Sequence, residues 1–341
     1  MWLLFSRKDD FLRVLASLLC ALLLAGCETL AYYAQAVSGQ VSLMAGKRSV
    51  DALLADKATP APLRERLLLA RSIRDYASRE LMLPDNGSYR SYSDIGRPYA
   101  VWNVVAAPEF ALAPLQSCFP VAGCVAYRGF FAQADAEHYA AGLRAQGYDV
   151  FVYGVAAYST LGSFDDPLLS SFIRYPDTEL ARLIFHELAH QVAYVKDDST
   201  FNESFAVVVE REGVRRWLLA TGRGLAAWLD AEEQQRRLVA EIQQASARLE
   251  RLYRSRISVE AMRERKQREL AALKQKLAGR YRDVVPNNAF LASFATYTEL
   301  VNEFEEILRE NNGDLERFYA QVKRYAASAP SSRGPLSKPT P

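Results

Sequence analysis

His186-Glu187-Leu188-Ala189-His190 is the stretch of this chain best equipped for chemistry. On a helix, residues four apart share one face, so the two imidazoles can grip a single Zn²⁺. Glu187 then stands beside the metal, placed to take a proton from an attacking water. The flanks support a helix. Asp177, after Tyr175-Pro176, reads as an N-cap, and Leu180, Ile184, Leu188 and Val192 form an apolar stripe running to about Val195. A catalytic zinc wants three protein ligands and one open position. After the polar break Lys196-Asp197-Asp198-Ser199-Thr200, a second helix is expected from near Asn202. It carries Glu203, far enough along for the chain to reverse and return a carboxylate. Glu203 is the favoured third ligand, with Asp197 and Asp198 as rivals. No histidine follows His190, which excludes the three-histidine metzincin pattern. The one other histidine, His138, lies far upstream on an expected helix surface.

These residues sit among elements that must position them. Strand character marks Ala100 to Ala106, Phe110 to Leu112, Val125 to Phe131 and Tyr148 to Ser159. Between them a helix is expected over Ala134 to Gln146, ended by Gly147. Leu238, Ile242, Ala245, Leu249 and Leu252 step at helical spacing, and Leu270, Leu273 and Leu277 repeat it beyond Ser255-Arg256-Ile257-Ser258. That pattern predicts an antiparallel hairpin over 226–282, coiled-coil-like, serving as a structural arm or as a surface for an envelope protein. Apolar spacing from Phe290 to Leu308 predicts further helices, and the Ser- and Pro-rich end reads as an irregular tail. The division expected is 1–26 leader, 27–82 membrane-proximal helices, 83–225 catalytic core, 226–282 hairpin, 283–327 C-terminal helices and 328–341 tail. The fold class is α+β. Half the residues are hydrophobic and the net charge is +2, with no basic cluster interleaved with aromatics, so nothing marks a nucleic-acid partner.

Arg7, Lys8 and Arg13 precede a short apolar run, Val14 to Ala25, a pattern of secretion rather than of a membrane span. The block Leu24-Ala25-Gly26-Cys27 resembles a bacterial lipobox. The resemblance implies cleavage before Cys27, lipid on that cysteine, and, with Glu28 next, an outer-membrane protein facing the periplasm. Cys118 and Cys124 remain beyond it. An oxidising compartment would close them into a disulfide; the alternative is two buried thiols.

Asn202-Glu203-Ser204-Phe205-Ala206 resembles the block that carries the third zinc ligand in gluzincin aminopeptidases. The stretch Tyr175 to Trp217 most resembles the bacterial putative-aminopeptidase family of zincin fold. The similarity includes Leu83-Pro84-Asp85-Asn86-Gly87-Ser88-Tyr89, Tyr99 to Val104, Cys118 to Cys124, and Tyr158 to Gly162. It implies a zincin-like mixed sheet beside the active-site helix, one Zn²⁺ per chain on His186, His190 and Glu203, Glu187 as base, and a peptide substrate. In zincins an edge strand holds the substrate backbone. The strand around Gly154 to Ser159, with its small residues, is the candidate, an ordinary core strand being the other reading. Position 207 is Val, where thermolysin-like enzymes carry an acidic partner for the site, and Glu210 could serve instead. The G-A-M-E-N motif that binds a free amino terminus is absent, which keeps a zinc endopeptidase or processing protease in play. A non-catalytic envelope scaffold acting through the hairpin is the reading from another class. For the oxyanion donor, Tyr297 comes first and Tyr158 second among eighteen tyrosines.

Overall fold

In the computed structural model, residues 32–119, 123–157 and 160–327 are described. The leader, Cys27, Tyr158 and the 328–341 tail lie outside them. Residues 32–45 form helix α1, which belongs to its own unit, Met1–Gly46; the second unit starts at Lys47. No helix among the described residues is long and apolar enough to cross a membrane.

The second unit mixes helices with short strands, as an α+β protein does. It opens with β1 (Arg48–Ser49), α2 (Val50–Ala55) and α3 (Ala61–Glu80), whose Pro62 sits in the first turn, where a missing N–H costs nothing. Then come β2 (Ser91–Ser93), β3 (Val101–Ala107), β4 (Ser117–Phe119), β5 (Gly123–Val125), β6 (Arg128–Phe130), α4 (Gln133–Ala145), β7 (Asp149–Val155) and β8 (Leu168–Leu169). These strands divide among small sheets. β6, β3 and β7 pair antiparallel in that order, β1-β2-β8 forms a mixed sheet, and β4 pairs with β5.

The helical half follows: α5 (Asp177–Ala189), α6 (Ser199–Thr221), α7 (Leu225–Tyr253), α8 (Val259–Lys276), α9 (Asn288–Thr298), α10 (Val301–Glu310) and α11 (Leu315–Ala327). α5 buries Leu180, Ala181, Ile184, Phe185, Leu188 and Ala189, turning one full face inward. It lies tight against α6 because Gly213 has no side chain. A Cβ there would come within 2.8 Å of both Leu81 and Phe185. On its other side α6 sends Phe201 and Phe205 against Phe304 of α10, and Phe205 also meets Phe318 of α11. The long helix that carries Glu203 is thus held on both flanks.

α7 and α8 form the expected hairpin, packed rather than free. Ile242, Ala245 and Leu249 of α7 share a core with Leu273 of α8 and with Phe290, Leu291 and Phe294 of α9. Buried Lys266 pins α8 to the sheet, donating to Asp149 at 2.7 Å and to the Glu109 carbonyl at 2.8 Å.

Three local expectations differ from the structure. Phe110 to Leu112 form no strand, because Phe110 packs on Tyr253 and the neighbouring carbonyls of Pro108 and Glu109 accept from Asn288. The stretch Val125 to Phe131 splits into two strands at Ala126-Tyr127. α5 stops at Ala189 instead of running to Val195, leaving Val192 only half-buried in the turn beyond.

Candidate metal centre

The early end of α5 makes the site. Past His190 the chain closes in tight turns, with Gln191 N–H donating to Leu188 and Val192 N–H to Ala189. Buried Asn202 then clips the returning loop. Its Oδ1 accepts from Val195 N–H at 2.7 Å and its Nδ2 donates to the Val195 carbonyl at 2.8 Å. Asp198 caps α6, accepting from Phe201 N–H at 2.9 Å, so the helix starts at Ser199 and not near Asn202. Asp177 is no cap on α5. It is the helix's first residue and ion-pairs with Arg66 and Arg223.

This reversal lays the first turns of α6 beside the last turn of α5. His186, His190 and Glu203 come together, with one ligand atom of each within 4.8 Å of the others. Glu203 Oε2 stands 3.2 Å from His186 Nε2 and 3.7 Å from His190 Nε2. Donors at about 2.1 Å around a tetrahedral zinc would stand about 3.4 Å apart, so both spacings fit such an ion. His190 Nδ1 is buried with no hydrogen-bond partner among the described residues. Two imidazoles and a carboxylate are also the donor set of an open zinc site.

Asp197 and Asp198 are not in the cluster. Asp198 is spent on its cap, and Asp197 accepts from Cys124 N–H at 2.5 Å. Cys118 and Cys124 are joined by a disulfide across the β4–β5 pair, and the bond from Cys124 N–H to Asp197 ties that pair to the α5–α6 loop. His138 lies exposed on α4, away from the cluster. β7 is an edge of its sheet, in the order β6-β3-β7, and Tyr99 covers one face of it at Gly154. The missing Cβ of Gly154 makes way for the Tyr99 ring, which would stand 2.2 Å from it.

The charges around the cluster are layered. His186 Nδ1 faces Glu210 Oε2 at 2.8 Å, and Arg182 Nη1 reaches both Glu210 oxygens at 3.3 Å. Glu210 lies seven residues, two turns, after Glu203, so it presents the same face of α6; buried Val207 occupies the intervening turn. Burial pushes the Glu210 carboxyl up, but Arg182 and the bond to His186 prevail and hold it at about 2. Burial pulls His186 down, yet the bonds to Glu203 and Glu210 lift it to about 10. His190, buried without such a bond, falls to about 4. For Glu203 burial works upward, and the two histidines still lower it. A carboxylate behind one imidazole fixes which ring nitrogen turns to the metal and raises that imidazole's basicity. Glu187 is half-buried among other carboxylates and is raised to about 7, mainly by desolvation. A cation held by the neighbouring cluster would oppose that rise and favour the carboxylate.

On the facing side stand three tyrosines. The Tyr297 ring of α9 stacks toward His186 at 6.5 Å. Tyr127 and Tyr153 lie close enough to Glu203 to feel its charge, and burial raises both, Tyr153 to about 12. Asn103 Nδ2 donates to Tyr153 Oη at 3.5 Å. Neither Tyr127 nor Tyr153 has a sequence signal, since one comes from the break between β5 and β6 and the other from β7. Arg182 did have one, a basic residue one turn before His186 on the same face.

The block Leu83 to Tyr89 also lies against the site. Fully buried Arg74 of α3 donates to the carbonyls of Ser88 at 2.8 Å and Pro84 at 2.6 Å. Asn86 Nδ2 donates to Gln191 Oε1 at 2.7 Å, and Gln191 Nε2 donates to Ser88 Oγ at 3.2 Å. The loop thereby braces the residue after His190. Tyr89 takes a left-handed φ of 62°, and its N–H donates to the Asp166 carbonyl at 2.6 Å.

The model of a family described as Putative aminopeptidase matches residues 31–335. No curated protein and no solved structure matches the chain.

Proposed function

The chain belongs to the Putative aminopeptidase family, and we propose that it is a zinc-dependent peptidase whose ion is held by His186, His190 and Glu203. The observation that carries this is the meeting of those three side chains beside a half-buried Glu187. Three protein donors leave a position open, as a catalytic site needs, whereas a structural zinc is usually closed by four. When bound, the ion supplies a Lewis acid for the scissile carbonyl and for a water. The chain's own residues do the rest. Glu187 accepts the proton of the attacking water and hands it to the leaving amine. Glu210, backed by Arg182, orients the His186 ring. The Tyr297 hydroxyl is the donor assigned to the oxyanion, its ring standing over His186.

The same reading places the enzyme at the outer membrane, tethered through Cys27 and facing the periplasm. Its supports are the lipobox-like block and the Cys118–Cys124 disulfide, a bond of oxidising compartments. The packed hairpin supports a structural role for residues 226–282 over a free docking arm.

Metal removal tests the reading. Treatment with 1,10-phenanthroline should abolish cleavage of a peptide panel with free and blocked amino ends, and one equivalent of Zn²⁺ should restore it. Cleavage that persists after the metal is gone would refute a metallopeptidase. The pattern across the panel separates an aminopeptidase from an endopeptidase.

A further inference from the structure

Tyr89 carries a hydroxyl that the fold buries and leaves unpaired. The residue is 1% exposed, and its Oη has no hydrogen-bond partner among the described residues. Buried hydroxyls are ordinarily bonded, because an unmade bond forfeits what water would have supplied. The backbone is shaped around this side chain. Tyr89 holds φ at 62°, a left-handed conformation that bulky residues rarely adopt. Its N–H is tied to the Asp166 carbonyl at 2.6 Å. Fully buried Arg74 grips the residues before it, donating to the carbonyls of Pro84, Asn86 and Ser88. Such a conformation persists only where its surroundings impose it, and such residues gather at functional sites.

The same loop lies along the catalytic helix. Ser88 Oγ accepts from Gln191 Nε2 at 3.2 Å, and Asn86 Nδ2 donates to Gln191 Oε1 at 2.7 Å. Gln191 comes four residues after Glu187, in the turn that closes α5, so the loop runs past the side of α5 that bears Glu187. Two carboxylates are near enough for Tyr89 to feel their charge, Glu187 first and Asp166 second. Asp166 is already engaged. Its Oδ1 accepts from Thr160 Oγ1 and its Oδ2 from Thr160 N–H, both at 2.9 Å. The Glu187 carboxylate accepts no hydrogen bond from the described residues. A buried donor without an acceptor thus neighbours an acceptor without a donor.

Resting on the peptidase reading above, we propose that Tyr89 is the positioning residue of the general base: its hydroxyl donates to one oxygen of Glu187 and leaves the other facing the attacking water. A free glutamate side chain samples several rotamers, and one anchored oxygen removes most of that freedom. Arg74, Asn86, Ser88 and Gln191 are then the frame that holds the donor in place.

The test uses Tyr89→Phe and Glu187→Gln, alone and together, in the full chain loaded with zinc. Tyr89→Phe keeps the ring that fills the core, so the variant should hold its full zinc. Its kcat should fall about tenfold, the size of one hydrogen bond to a charged group, with KM within about twofold. In the Glu187→Gln background the same change should alter kcat by less than about twofold, because no carboxylate is left to position. A wild-type kcat in Tyr89→Phe overturns the proposal. So does a tenfold loss that persists in the Glu187→Gln background, and so does a loss that merely follows zinc content. If the wild-type protein cleaves no peptide, the peptidase reading falls and melting temperatures decide the pairing. Tyr89→Phe should then lower the melting temperature more in the wild type than in the Glu187→Gln background, since an amide is the weaker acceptor. Equal shifts in both backgrounds remove the pairing as well.

Discussion

Glu187→Gln should retain zinc and lose peptide hydrolysis by about 10³-fold or more. General bases contribute on the order of 10²–10⁴ to rate, and the amide cannot accept the water's proton. The side chain keeps its size, so helix α5 and the three-donor cluster should survive unchanged. Glu187 makes no part of that cluster. Its environment suits the task. Desolvation raises the carboxyl to about 7 with no ion bound, and a bound cation would lower it again and favour the carboxylate that accepts the proton. The loss should appear in kcat, with KM little altered, because water activation is felt in the transition state. Full turnover in this variant would exclude Glu187 as the base.

His186→Ala should lose both zinc and turnover, and should also lower the melting temperature. His186 is the hinge of the charge layers, bonded to Glu203 at 3.2 Å and to Glu210 at 2.8 Å. Removing it strands two buried carboxylates. Breaking a buried pair from one side costs about 3–5 kcal/mol. Here Arg182, 3.3 Å from Glu210, should reduce that cost. Glu203 is left with His190 alone, at 3.7 Å. Adding Glu203→Gln to the variant should recover part of the lost stability, since a neutral amide tolerates burial better than a carboxylate. A His186→Ala protein that binds zinc normally would contradict the assignment.

How much of this was legible beforehand depends on how local each signal is. The apolar stripe Leu180, Ile184, Leu188 marks α5 because helical period and burial coincide there. The hairpin was readable for the same reason, its leucines stepping by three and four. Glu203 was legible as a candidate because a polar break and a second helix bring it back toward α5. What escaped was decided across the chain. α5 ends early because Asn202, from the next helix, binds the backbone of Val195, a contact no spacing announces. Phe110 reads as strand but is used to pack Tyr253, over a hundred residues away. Gly154 was read as small to admit a peptide, and in the structure its missing side chain admits the Tyr99 ring. The wall of Tyr127, Tyr153 and Tyr297 draws on the β5–β6 break, β7 and α9, with only Tyr297 of the three singled out among eighteen tyrosines. Glu210 was an option at helical spacing, but its bond to His186 and its pairing with Arg182 needed the packing of α5 on α6.

The central claim is that Glu203 completes the metal centre, and zinc content tests it most directly. Elemental analysis of protein dialysed at neutral pH should find about one zinc per chain in the wild type and almost none in Glu203→Ala, while Asp197→Asn keeps its full equivalent. A wild-type protein without zinc, or a Glu203→Ala protein that holds a full equivalent, would contradict it.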